Sequence, residues 1–205
     1  MKVKKGDYGY IKDQKIRRLI RVLLLLILPA AFLIIGLVLN QGDRRNIYTI
    51  IAIVGCIPLC MAIVSMIMMW MRKPMEPDLY REVKEHAGSL EMVYELYLTT
   101  YEKSVFLDAA AVCGEYVIAY SHEKLTHGDI SLMESHIVKT MRANGYKVTA
   151  KIFTQKKQFL DRLDSLREKQ ADYEAAANAN FKPYEKYPDL TRNEVIRHLL
   201  MAVSL

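Results

Sequence analysis

The sequence predicts an N-terminal transmembrane α-helical hairpin followed by a small α/β (α+β) soluble domain with about three strands, in the order α-α-β-β-α-β-α-α. Three observations predict it. Two long apolar runs, residues 22–42 and 46–71, are separated only by Asp43, Arg44 and Arg45. Basic residues crowd the outer flanks of these runs. Beyond Arg72 the composition becomes mixed, and helical and alternating patterns follow one another. The expected parts are a basic leader and interfacial helix (1–21), the hairpin (22–71), a linker (72–77) and a cytoplasmic α/β domain (78–205).

A spanning helix needs about 20 mainly apolar residues to cross a hydrocarbon core of ~30 Å, and both runs meet that length. A soluble amphipathic helix shows a polar face, whereas VLLLLILPAAFLIIGLVL has none. The second run offers only Thr49 and Ser65, whose hydroxyls can bond back to helix carbonyls. Pro29 and Pro58 fall inside the spans, where membrane helices tolerate proline and kink at it. Trp70 closes the second span as an interfacial aromatic. The first run exceeds the ~7–15 apolar residues of a signal peptide, and no small-x-small cleavage site follows it. The full chain is therefore expected in the mature protein.

Lys2, Lys4, Lys5, Lys12, Lys15, Arg17, Arg18 and Arg21 precede the first span, and Arg72 and Lys73 follow the second. Positive flanks stay on the cytoplasmic side. This predicts a multi-pass protein of the cell membrane with both termini cytoplasmic and the turn outside. Arg17, Arg18, Arg21, Trp70, Arg72 and Lys73 are its membrane-flanking residues. The leader accounts for the chain's net charge of +6, while the part from Arg72 onward sums to −1. The basic pI thus signals topology and contact with anionic headgroups rather than a nucleic-acid patch. Ile11, Ile16, Leu19 and Ile20 sit near helical spacing among cations, as an interfacial helix running into the first span. The first ten residues, with two glycines, read as mobile. Cys56 and Cys60 share a helix face as small apolar packing residues, and Cys113 stands alone. No disulfide framework is expected, which fits a reducing cytoplasm.

Within the soluble part, residues 77–100 read as helix, bent or broken at Gly88, with Leu79, Val83 and Ala87 on one face and Leu90, Val93, Tyr94, Leu96, Tyr97 and Leu98 resuming the pattern. SVFLDAAAVCGEYVIAYS reads as a β-hairpin turning near Cys113–Glu115. HEKLTHGD reads as a loop. Ser131 and Glu134 then match a capping box that opens a helix ended by Asn144-Gly145. KVTAKIFT alternates as a third strand, which suits a crossover connection. Phe159, Leu160, Leu163 and Leu166 stripe a long helix whose end beyond Lys169 loses its apolar face. KPYEKYPD is a loop, and a second box, Thr191 with Glu194, opens a final helix carrying Val195, Ile196, Leu199, Leu200 and Val203. About 130 residues suffice for one core.

Candidates for chemistry are few. Asp108 is a carboxylate inside a strand, and its plainest reading is an outward-facing or edge residue; Glu115 begins the next strand. With the αββαβ order they resemble the restriction-endonuclease-like core, which places an Asp and then an acid-x-Lys on adjacent strands. Here the second strand reads Glu115-Tyr116-Val117, without the lysine, and the strand count is short. His122, His127 and His136 lie near Glu123 and Asp129, but their spacing matches no zinc motif and they read as solvated. A G-x-S-x-G, a phosphate loop and an H-E-x-x-H are all lacking. Neither cofactor nor metal is expected. Tyr80, Tyr94, Tyr97 and Tyr101 are either packing residues or an aromatic contact surface.

The opening MKVKKGDYGYI-x-x-QK, the exit MMWMRKPMEPDLY and the tail KYPDLTRNEVIRHLL resemble an uncharacterised family of small two-span membrane proteins of Gram-positive gut bacteria. Some of its members go under the name of an O-linked N-acetylglucosamine transferase. The D-x-D pair of the common metal-dependent nucleotide-sugar transferases is missing here, so no functional residue carries over. The expected function is a membrane-anchored interaction or regulatory domain, with a protein partner or a second copy. The competing reading is a membrane-tethered hydrolase or transferase using Asp108 and Glu115 with His122 or His127. A working role for the hairpin itself finds no G-x-x-x-G and no charge within the spans.

Overall fold

A computed structural model describes residues 3–41, 43, 46–101, 103–179, 181 and 189–204. Lys2, Gly42, Arg44, Arg45 and residues 182–188 of the expected KPYEKYPD loop lie outside the described residues. The chain divides into two compact units, Ile11–Pro74 and a second made of Met1–Tyr10 together with Met75–Leu205.

The first unit is a pair of helices, α1 (Tyr10–Leu39) and α2 (Ile47–Trp70), each long and apolar enough to cross a membrane. Only 11% of the most apolar stretch of each is buried, the reverse of a soluble core helix. Asn46 closes the turn: its Oδ1 accepts from the Thr49 amide at 2.9 Å, and its Nδ2 donates to the Asp43 and Gly36 carbonyls at 2.7 and 3.3 Å. Gly36 is required there, since a Cβ would sit 2.7 Å from that of Tyr48. Near the other end, Arg18 donates through Nη1 to the Ser65 carbonyl at 2.8 Å and to its hydroxyl at 2.7 Å. The Ser65 hydroxyl therefore also serves the facing helix.

The second unit runs α3 (Pro77–Ala87), β1 (Glu91–Thr99), β2 (Ser104–Cys113), β3 (Tyr116–Tyr120), α4 (His127–Ala143), β4 (Thr149–Phe153), α5 (Lys156–Glu168), α6 (Gln170–Asn178) and α7 (Arg192–Val203). Its sheet has the order β1-β2-β3-β4, antiparallel across the first two pairings and parallel across the last. Helices cover both faces. Met133, Ile137 and Met141 of α4 join Val195, Ile196, Leu199 and Leu200 of α7 in one core. Leu79 and Val83 of α3 meet Phe159, Leu163 and Leu166 of α5 in the other.

The sheet has four strands, not three, because residues 91–99 form β1 rather than a helix. The cause of the misleading pattern is local. Val93, Leu96 and Leu98 belong to one core, so an interval of three interrupts the period of two that a strand requires. The interruption falls at Glu95, whose φ of 54° lies in the left-handed region. Across the ladder, Val105 and Leu107 are followed in the same core by Ala110 and Val112, again an interval of three. Both strands switch faces at the same level while their register is kept.

Three smaller expectations also change. The helix after β3 opens at Thr126, whose side chain accepts from the Asp129 amide while Asp129 accepts from the Thr126 amide at 3.0 Å. Ser131 and Glu134 lie inside α4, and Glu134 takes the Ile152 amide at 2.8 Å instead. The long C-terminal helix breaks at Lys169 into α5 and α6, and Tyr173 of α6 packs against Tyr116 rather than projecting into water. Residues of the leader instead pack against the rest of the second unit. The Tyr94 amide donates to the Gly6 carbonyl at 2.8 Å, the Tyr8 ring stacks on Tyr80 at 4.0 Å, and Asp7 pairs with Arg197 at 3.6 Å. The second capping box, Thr191 with Glu194, forms as expected.

Candidate functional site

β2 is a central strand, so Asp108 at its middle has no edge to escape to, and it is 1% exposed. It is not the outward-facing residue that a lone carboxylate suggests. A buried carboxylate needs donors, and the chain just beyond β3 supplies them. Ala109 pairs with Tyr120, which brings the next residues of the chain alongside Asp108. The His122 amide donates to Asp108 Oδ2 at 2.8 Å, and His122 Nδ1 lies 2.9 and 2.8 Å from the two carboxylate oxygens. Burial pushes the Asp108 pKa up, and the two bonds from His122 oppose that rise.

The imidazole is half in water, with its side chain 41% exposed against 2% for Asp108. Its edge meets Phe106 at 5.6 Å, and Phe106 in turn meets Tyr97 at 4.8 Å. Glu123 closes the near side by accepting the Phe106 amide at 3.3 Å, an amide that β3 is too short to pair. With Asp108 ionised, Nδ1 carries the proton toward it, and a neutral imidazole in this orientation has its lone pair on Nε2. The arrangement can hold one imidazole tautomer and present a base to solvent.

The other candidates do not join this pair. Glu115 sits in the turn after Cys113, five residues along β2 from Asp108, or about 16 Å at the rise of a strand. There its carbonyl accepts the Thr149 amide at 2.7 Å. His127 is the exposed first residue of α4. Among the described residues no three His, Cys, Asp or Glu side chains converge to hold a metal ion. β3 reads YVIAY and carries no acid-x-Lys. Cys113 is fully buried, and desolvation with the nearby Glu174 charge pushes its thiol up to about 11, far from a nucleophile's range.

Sequence reasoning passes over two buried polar features. Glu95 lies between the Tyr94–Ala109 and Leu96–Leu107 pairs, level with Asp108 on the neighbouring strand, and its Oε1 accepts the Met75 amide at 3.1 Å. At the other end of the sheet, Arg192 and Asn193 of α7 fasten the β2–β3 turn. Arg192 donates to the Gly114 carbonyl and, at 2.9 Å, to that of Lys147, while Asn193 Oδ1 accepts the Gly114 amide at 3.1 Å. Asn193 and Gln170 both donate to Glu174 Oε1 at 2.8 Å. The available signal was a charge interrupting an apolar run for Glu95, and none for Arg192, which looks like an ordinary first-turn cation. Comparison with protein-family models, curated proteins and solved structures finds no match.

Proposed function

We propose that this chain is a membrane-anchored interaction or regulatory module. Its hairpin spans a bacterial cell membrane, and its α/β domain works at the cytoplasmic face on another membrane component. The observation that carries this reading is that the domain grips the chain on both sides of the hairpin. Gly6 accepts the Tyr94 amide of β1, Tyr8 stacks on Tyr80, and α1 begins at Tyr10. On the far side α2 ends at Trp70, and Met75 is already 1% exposed with its amide held by Glu95. Two short ties, one on each side of the hairpin, hold the domain at the membrane and raise its effective concentration there. The basic flanks Arg17, Arg18, Arg21, Arg72 and Lys73 support a cytoplasmic domain and contact with anionic headgroups.

The test is topology. Cys56, Cys60 and Cys113 are replaced, and single cysteines are introduced at Asp43 and at Ser89. A membrane-impermeant maleimide on intact cells should label Asp43→Cys at once and Ser89→Cys only after lysis. The reverse pattern overturns the reading.

The Asp108–His122 pair favours a second reading, a tethered hydrolase in which Nε2 of His122 acts as general base toward water. A chromogenic ester or phosphodiester whose hydrolysis by the nanodisc-embedded chain is unaffected by His122→Gln would eliminate it.

A further inference from the structure

A sheet of four strands has two edges, and this domain treats them differently. On β1 the outer groups are engaged by the chain's own ends: the Tyr94 amide donates to Gly6, and Leu98 pairs with Ser204 in an antiparallel bridge. The β4 edge borders a groove of about 460 Å³ between β4 and α4. In the parallel ladder Thr149 donates to Glu115 and Phe153 accepts from Ser121, so the backbone groups of Ala150 and Ile152 point the other way, to the outer side.

We infer that this edge binds an extended acidic segment of a partner protein, which adds to the sheet as a strand beside β4. The inference rests on the interaction-module reading and names the class of partner. Two features of the groove select this occupant. Its floor is apolar, with Val138, Val148 and Ala150, as alternate side chains of an added strand require. Its rim carries the exposed cations Lys139 and Arg142, and the exposed Lys147 and Lys151 flank it along the strand. Of the two outward amides, that of Ile152 is already taken by Glu134 Oε1 at 2.8 Å, so the added strand pairs at Ala150. A nucleic-acid backbone would satisfy the cations and the outward amides, but its phosphates carry no donors for the outward strand carbonyls and no alternating apolar groups for the floor.

The test uses the full chain in nanodiscs, panned against a displayed library of short random peptides. Enriched peptides should be acidic with alternating apolar residues. Binding should weaken about tenfold or more in the exposed-site double variant K139E/R142E, as expected when charge contacts reverse. Hydrogen exchange at the Ala150 amide should slow on binding. Enrichment without acidic bias, binding that survives K139E/R142E, or an Ala150 amide that does not respond would each overturn the inference. An Ala150 amide already protected by pairing with a second copy, and released on dilution, would overturn it as well. Acidic peptides that bind elsewhere on the domain would remove the groove and leave the module reading standing, whereas a failed topology test removes the module reading first.

Discussion

The Tyr94 amide donates to the Gly6 carbonyl at 2.8 Å, joining the edge strand β1 to the leader that precedes α1. Gly6 has a φ of 89°, and a Cβ there would meet Met201 Sδ at 2.6 Å and Val93 Cγ1 at 2.9 Å. Gly9 has a similar φ of 84° but open space around its Cα. Left-handed backbone alone costs a residue with a Cβ about 1–2 kcal/mol.

Gly6→Ala should therefore lift the strap from β1, while Gly9→Ala should cost only the backbone strain. The measurement is hydrogen exchange in the nanodisc-embedded chain. The Tyr94 amide should exchange markedly faster in Gly6→Ala and close to the wild-type rate in Gly9→Ala. Equal exchange in the two variants would mean that the strap does not depend on the close approach at Gly6.

Glu95 combines a left-handed backbone with a buried carboxylate that accepts the Met75 amide. Its three variants separate these roles. Glu95→Gln keeps an acceptor oxygen and should be the mildest. Glu95→Ala leaves a buried amide without that acceptor and should lose about 1–3 kcal/mol. Glu95→Gly suffers the same loss but relieves the backbone, and should recover up to about 1 kcal/mol relative to alanine. Thermal unfolding of the three in one detergent gives the order.

The start of α4 should be sensitive to acid. Asp129 is held down to about 2 by the Lys103 ammonium 2.6 Å away and by its bonds with Thr126. A carboxylate whose folded pKa is depressed contributes stability above its unfolded value, and that contribution fades as pH falls through the folded one. The window thus runs from the ordinary value of 3.8 down to about 2. Asp129→Asn should flatten the stability-versus-pH curve across that window and leave its shape unchanged near neutrality. An unaltered acid slope in Asp129→Asn would contradict the assignment.

How much of this was legible in the sequence depends on the range of the interaction. The hairpin was legible because the bilayer requirement falls on every residue of a run. The β2–β3 hairpin, β4, the Thr191 box and the stripe of α5 were legible because their signals are local. β1 was not. Its face switch at Glu95 puts Val93 and Leu96 three apart, which imitates helical spacing, and the compensating switch lies on β2. The opening of α4 was obscured by two successive box patterns, Thr126 with Asp129 and Ser131 with Glu134, and it is the tertiary demand of the Ile152 amide that engages Glu134. The leader looked mobile because Gly6 serves a close approach to Met201, about which nearby sequence says nothing. Within the candidate site, Asp108 and His122 were both singled out, but their pairing depends on the β2–β3 register. Glu115 and His127 were grouped with them by closeness in sequence, although the turn and the helix start carry them elsewhere.

Asp108 is the most consequential position to test, because its burial and its pairing pull in opposite directions. Desolvation dominates and raises its pKa from the ordinary 3.8, while the amide and imidazole of His122 resist the rise. A raised folded pKa means that Asp108 favours the folded state fully below the ordinary value of 3.8 and that this contribution is lost as pH climbs through the folded value. Asp108→Asn removes the titration and keeps an oxygen for the His122 amide. The stability of Asp108→Asn relative to the wild type should therefore improve as pH rises from strongly acidic toward neutral. Asp108→Ala leaves the His122 amide without its acceptor and should be less stable than Asp108→Asn by about 1–3 kcal/mol across that range. Unfolding of the three chains at a series of pH values checks both statements. A wild type that gains on Asp108→Asn as pH rises would show that the bonds from His122 outweigh burial, making the pair a tight ion pair at neutrality.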